Sequence, residues 1–273
     1  MSNGRLREVM TQREFTRIGR SMGRNSEIPP EKIRETAEVV ARQADVAAHI
    51  GAGEIRVVAT AAIRGAPNRD ELVEAIETRS GLPVRILPDS EEARLSFVGA
   101  TATLGVPVEG RVVVVDVGGG STEVAAGTVD DGVDFSASFR IGSGFLADSY
   151  LRSDPPSAAE LHAVRQHVAG CFEGFEVPPA DAALAVGGSA TSLRRLCGSV
   201  VEHETLERGV RILASTEVDQ VARRFELDAE RVRLLPAGIL ILEALSDRIG
   251  LPLTIARGGL REGVILELVA EAG

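Results

Sequence analysis

At 273 residues, 44% hydrophobic and 26% charged, the chain has the composition of a globular protein and the length for two compact domains. Its 40 acidic and 30 basic residues leave a net charge of −10, a field that disfavours nucleic acid and anionic membrane, so an anionic substrate needs a local basic pocket. No N-terminal run resembles a signal peptide and no stretch approaches the roughly 18 apolar residues of a spanning helix, so a cytoplasmic protein is expected. Cys171 and Cys197 fall in helix-like segments, and two cysteines define neither a disulfide framework nor a metal cluster.

In chain order, Ile33, Ala37, Val40, Ala44, Ala47 and Ile50 recur at spacings of four and three behind Pro29 and Pro30, which predicts one long amphipathic helix. Ile55 to Thr60 reads as a strand. Asn68 with Glu71 reads as a capping box opening a helix toward Gly81, and Val84 to Leu87 as a second strand, so the unit is βαβ with parallel strands. Ser90 is placed to cap a helix through Ala100, and Gly105, Pro107 and Gly110 then mark a turn-rich crossover. This predicts an N-terminal α/β domain over 1–108 and a C-terminal α/β domain over 109–273. The second begins with a three-strand meander whose second turn is Asp130-Asp131-Gly132. It continues through Ile141-Gly142-Ser143-Gly144 and a helix-rich stretch from Ser157 to a strand at Ala182 to Val186.

The stretch Arg111 to Glu123 carries the most chemistry. Four valines read as a buried strand, Gly118, Gly119, Gly120 and Ser121 break it, and Thr122 to Val124 resume a strand. If those four residues form a hairpin loop, Asp116 faces Glu123 on one side of the sheet with Cβ atoms about 5 Å apart. Carboxylates so placed repel unless a proton or cation neutralises them, while the glycines open backbone N–H groups to an anion. The same residues also read as a plain tight hairpin with an acid on each strand. Gly187, Gly188 and Ser189, between a strand and a helix, form a second anion-binding candidate, with the hydroxyls of Ser189 and Thr191 as further donors; a tight αβ connection is the alternative. Arg64 stands past the first strand, where open α/β sheets place ligands. Glu91 and Glu92 sit in a first helical turn, where acids also serve the helix dipole. The four histidines, His49, His162, His167 and His203, show no metal-ligand spacing.

These blocks occur together in a telling order: ATAAIRGAPN (59–68), DSEEARL (89–95), VVDVGGGSTE (114–123), AVGGSATSL (185–193) and GGLREGVI (258–265). Five blocks at this spacing resemble the exopolyphosphatase and guanosine pentaphosphatase family over nearly the whole chain. The resemblance implies a two-domain, actin-like (ribonuclease-H-like) α/β fold with the active site in the cleft between domains and the C-terminal helix near it. It implies Glu92 as general base, Asp116 and Glu123 as catalytic carboxylates that also hold Mg²⁺ or Mn²⁺, and Gly118 to Ser121, Gly187 to Ser189 and Arg64 as phosphate contacts. The substrate it implies is inorganic polyphosphate, shortened by one orthophosphate at a time, or else guanosine pentaphosphate; the oligomeric state stays open, with a homodimer among the options, and no nucleic-acid or membrane partner is expected. The family normally opens with a strand and an aspartate-x-glycine-serine-asparagine loop, which nothing before Gly4 matches, whereas Arg5 to Val9 resembles its third strand. By that comparison the first domain is N-terminally truncated by roughly 20 to 25 residues, and a non-catalytic phosphate- or nucleotide-binding regulator becomes the rival from another class. No helical extension follows the last block, which matches the family's short form.

Overall fold

The computed structural model describes residues 6–22 and 26–272. It contains two compact units, Met1–Pro88 and Asp89–Gly273. In the first, a short helix α1 (Ile18–Ser21) is followed by the long amphipathic helix α2 (Pro30–His49), which has proline at its first position, as the apolar spacing predicts. Then come β1 (Val57–Ala59), α3 (Ala61–Arg64), α4 (Arg69–Ser80) and β2 (Val84–Ile86), with β1 and β2 parallel. α2 and α4 pack around Ile28, Ile33, Ala37, Leu72 and Ile76. Two expectations change here. Asn68 does not form a capping box: its side chain accepts from Ile28 N at 2.9 Å and donates to Ile28 O at 3.0 Å, so its amide pairs with a distant backbone in place of the helix. Nor do the described residues at the start form a strand. Arg5 lies outside the described residues, and Leu6 to Val9 pair with no described strand and stay largely exposed.

The second unit opens with α5 (Asp89–Ala102), so Ser90 lies inside the first turn and is not the cap. The meander follows as β3 (Val112–Val117), β4 (Thr122–Thr128) and β5 (Gly132–Phe139). After it come α6 (Ser143–Tyr150), α7 (Ala158–Cys171), β6 (Ala182–Val186), α8 (Gly187–Cys197), β7 (Val200–Val201) and α9 (His203–Ser215). α10 (Val218–Phe225), α11 (Ala229–Ile249), β8 (Leu253–Ile255) and α12 (Leu260–Ala272) complete it. The six-stranded sheet has the order β5-β4-β3-β6-β8-β7. β3, β6 and β8 run parallel, and β4 is antiparallel to both of its neighbours. An antiparallel meander continued by parallel strands on the side of its first strand is the ribonuclease-H-like arrangement of actin-like domains.

β3 is buried along its whole length because both faces of the sheet are covered, which is why it reads as an unbroken valine run. Val113, Val115 and Val117 face the larger core with α6, α7, α8 and α11, whereas Val112 and Val114 face Ala93, Phe97 and Ala100 of α5. Asp116, alternating with Val115 and Val117, therefore points to the α5 side. α5 packs most extensively on α12, and Arg94 bonds Glu267 across that contact. The turn-rich segment at Gly105 to Gly110 thus lies inside the second unit, because α5 is already part of its packing.

Candidate active site

The hairpin register agrees with the sequence argument, with Asp116 opposite Glu123 and Val117 opposite Thr122. Above this pair lies one stripe of α5. Asp89, Glu92 and Ser96 are three and four residues apart and share a helix face. Ser96 Oγ donates to Asp116 Oδ2 at 2.5 Å, and both groups are buried. Asp89, Glu92 and Glu123 each bring a carboxylate oxygen to within 4.8 Å of the other two. Ser138 on β5, directly across from Glu123, donates to Glu123 Oε1 at 3.0 Å and stands 3.5 Å from Asp89 Oδ1.

The electrostatics follow from burial. Glu123, only 2% exposed, is pushed up to about 8, first by burial and then by the charge of Glu92, with Asp116 adding to it; the Ser121 and Ser138 hydroxyls oppose the shift. Burial also raises Asp116, helped by the Glu262 carboxylate and opposed by the Ser96 hydrogen bond. Buried carboxylates this close are costly as anions, and a divalent cation with oxygen ligands removes the cost. The donor set of Asp89, Glu92 and Glu123 suits such an ion. Asp116 was expected as a ligand beside Glu123, but it lies outside that triplet and its Oδ2 is engaged by Ser96.

The turn at Gly118 to Ser121 is braced from behind. Ser143 N donates to Gly118 O at 3.0 Å, and Gly144 N and Phe145 N both donate to Gly119 O at 3.0 Å, so the first turn of α6 occupies the carbonyl side. Gly142 permits this approach: a Cβ there would stand 2.5 Å from Gly119 O and from Gly120 N. Gly119 and Gly120 are exposed, and among the described residues their amides donate to no other group, which leaves two N–H donors on the open side. Ser121 is buried, with its hydroxyl toward Glu123.

The second glycine turn starts α8 directly. Gly187 has φ +90°, and a side chain there would meet Asp116 Oδ1 and Val117 O at 2.6 Å, so the α8 N-terminus sits against the Asp116 carboxylate. Its first amides lack helical partners. The hydroxyls differ from expectation. Thr191 Oγ1 donates back to Gly187 O at 2.9 Å, and buried Ser189 packs against Gly238 of α11, so only the backbone of this turn is open to an anion. Arg64 lies in the first unit, where Nη1 donates to Leu87 O at 2.6 Å.

Sequence reasoning missed four contributors. The three- and four-residue spacing puts Asp89 and Ser96 on the Glu92 face of α5, but only the packing of α5 on the sheet brings them to Glu123 and Asp116. Ser138 was hidden by a bulge at Ala126/Gly127. Arg231, in the first turn of α11, lays its guanidinium over Gly188, and no local signal in the sequence points to it. A cavity of about 290 Å³ between the 151–156 loop and helices α9 to α11 contains none of the candidate residues.

Carboxylates gathered under a helix, with two glycine turns on the same sheet that present backbone amides, form an arrangement suited to phosphate chemistry. Residues 1–272 match the model of the Ppx/GppA phosphatase family, and the chain belongs to that family. It is accordingly a phosphoanhydride hydrolase. It is 28% identical over 295 residues to exopolyphosphatase 2 of Mycobacterium tuberculosis, covering 98% of this chain and 91% of that protein. It is 26% identical to the guanosine-5'-triphosphate,3'-diphosphate pyrophosphatase of Photobacterium profundum, over 98% of this chain and 55% of the other. Among solved structures, the Aquifex aeolicus Ppx/GppA family member superposes with a TM-score of 0.77 at 25% identity, covering 94% of this chain and 88% of that one. No described helix is long and apolar enough to cross a membrane.

Proposed function

We propose that this chain is a Mg²⁺-dependent exopolyphosphatase that removes the terminal orthophosphate of inorganic polyphosphate. The observation that carries the reading is the convergence of Asp89 and Glu92 of α5 with Glu123 of β4 within 4.8 Å, over a sheet whose β3–β4 and β6–α8 turns are the two glycine turns. The terminal phosphate is held by the amides of Gly119 and Gly120, by the first amides of α8 at Gly188 and Ser189, and by the Arg231 guanidinium beside them. Glu92, buried and next to Glu123, accepts a proton from water as the water oxygen bonds to the terminal phosphorus. The bridging P–O bond then breaks and the electron pair leaves on the shortened chain. Asp89 and Glu123 would hold the cation, which would neutralise charge growing on the phosphate oxygens, with Glu92 beside them as the base. Asp116 orders the site through its bond from Ser96 and its place at the α8 N-terminus.

The test is Glu92→Gln with polyphosphate as substrate. Phosphate release should fall by about 10²- to 10⁴-fold, with the circular dichroism spectrum and polyphosphate binding unchanged. Turnover within about threefold of wild type removes Glu92 from the role of base. The similarity to the P. profundum enzyme favours guanosine pentaphosphate as the second substrate candidate, and kcat/KM on both compounds decides between them.

A further inference from the structure

In a protein carrying net charge −10, several second-unit arginines pair with carboxylates: Arg94 with Glu267, Arg111 with Asp134, Arg165 with Glu243, Arg211 with Glu207 and Arg233 with Asp148. One surface departs from this. Arg194 and Arg195 end α8, Arg223 and Arg224 end α10, and Arg208 lies on α9 facing Cys197. Arg195 Nη1 donates to Glu226 O at 2.6 Å, which ties the end of α8 to the end of α10 and brings the five arginines around one junction. Among the described residues none of the five has a carboxylate within ion-pair distance. Glu204 and Asp219, one turn from Arg208 and Arg223 on their own helices, do not pair with them. All but Arg194 are exposed. Arg224 lies over the Phe225 ring and Arg208 bonds Cys197, but neither partner carries a negative charge, so these like charges repel one another and an external polyanion relieves that cost.

The position of this surface matters as much as its charge. Gly188, Thr191 and Arg195 lie at successive i, i+3 and i+7 positions on one face of α8, so Arg195 stands about 10 Å along the helix from the phosphate turn. Arg231 marks the near end of that line over Gly188. The geometry points to a track for the distal part of a polyphosphate chain, running from the α8 N-terminus to Arg194, Arg195, Arg208, Arg223 and Arg224. This inference rests on the hydrolase reading above and adds a chain-length preference to it. A substrate of many phosphates engages both the turn and the track, whereas tripolyphosphate engages only the turn, so the track acts through effective concentration.

The experiment uses the whole protein and two variants, Arg208→Gln/Arg224→Gln, which leaves the Arg195 bond to Glu226 intact, and Arg195→Glu. Calorimetric binding of long-chain polyphosphate should weaken by about tenfold in each, and the salt dependence of binding should become shallower. Over the same variants kcat/KM on tripolyphosphate should stay within about twofold of wild type. Unchanged long-chain affinity in the double variant overturns the track, as does an equal loss on tripolyphosphate. Displacement of long-chain polyphosphate by single-stranded DNA at equal phosphate concentration overturns the assigned ligand class. If wild type releases no phosphate from either substrate yet binds the long chain through these arginines, the hydrolase reading fails and the track stands.

Discussion

In the metal-free protein, Glu123→Gln should stabilise the fold while removing function. Glu123 is 2% exposed, and its carboxyl moves from 4.5 to about 8 in the folded state. A carboxyl whose folded pKa lies above its unfolded value binds its proton more tightly when folded. The folded state is therefore favoured below 4.5 and loses stability as pH rises from 4.5 through 8. At pH 7 the wild-type side chain must either hold a proton that the unfolded chain has released or stand as a buried anion, a cost of about 3 kcal/mol at roughly 1.4 kcal/mol per pH unit. Glutamine has the same shape and no charge, so the variant should unfold about 3 kcal/mol less readily at pH 7, with a melting temperature higher by about 5 to 10 °C. The assay is denaturant unfolding of chelator-treated wild type and variant from pH 4 to 9. The two curves should converge at the acid end and separate until about pH 8. Saturating Mg²⁺ should narrow or reverse the gap, because only the wild type gains binding energy from the ion. A difference that does not vary with pH, or a variant less stable at pH 7 in chelator, refutes the burial argument.

Two further expectations bear on the same site. Gly142→Ala should lower both stability and activity, because its Cβ would press within 2.5 Å of Gly119 O and force α6 away from the turn it braces. The cost should be about 2 kcal/mol or more, read from a denaturation midpoint alongside phosphate release. Activity should vanish in excess chelator and return with Mg²⁺ or Mn²⁺, and Asp89→Asn, which removes one carboxylate of the triplet, should raise the metal concentration needed for half activity; full turnover in chelator removes the cation from the reading.

Much of this architecture is legible in the chain alone because it rests on local rules. The unbroken valines of β3, the amphipathic spacing of α2 and the glycine turn that pairs Asp116 with Glu123 each follow from side-chain period and turn length. Local rules failed where a side chain found a distant partner. Asn68 carries a helix-start signature, yet its amide is claimed by Ile28, 40 residues earlier. The β4–β5 turn shows the limit most sharply. Counting outward from Thr128 and Gly132 without interruption would set Ala137 across from Glu123, but the bulge between Ala126 and Gly127 advances the register by one residue and delivers Ser138 and its hydroxyl. A one-residue shift of a strand changes what each position faces, and a bulge is set by packing over the whole sheet. The carboxylates and glycines were thus determined by the sequence as types at a spacing. The Ser96 and Ser138 donors, Asp89 as third acid and Arg231 at the α8 turn were decided only when α5, β5 and α11 closed over the sheet, because contacts between elements depend on packing that no local window contains.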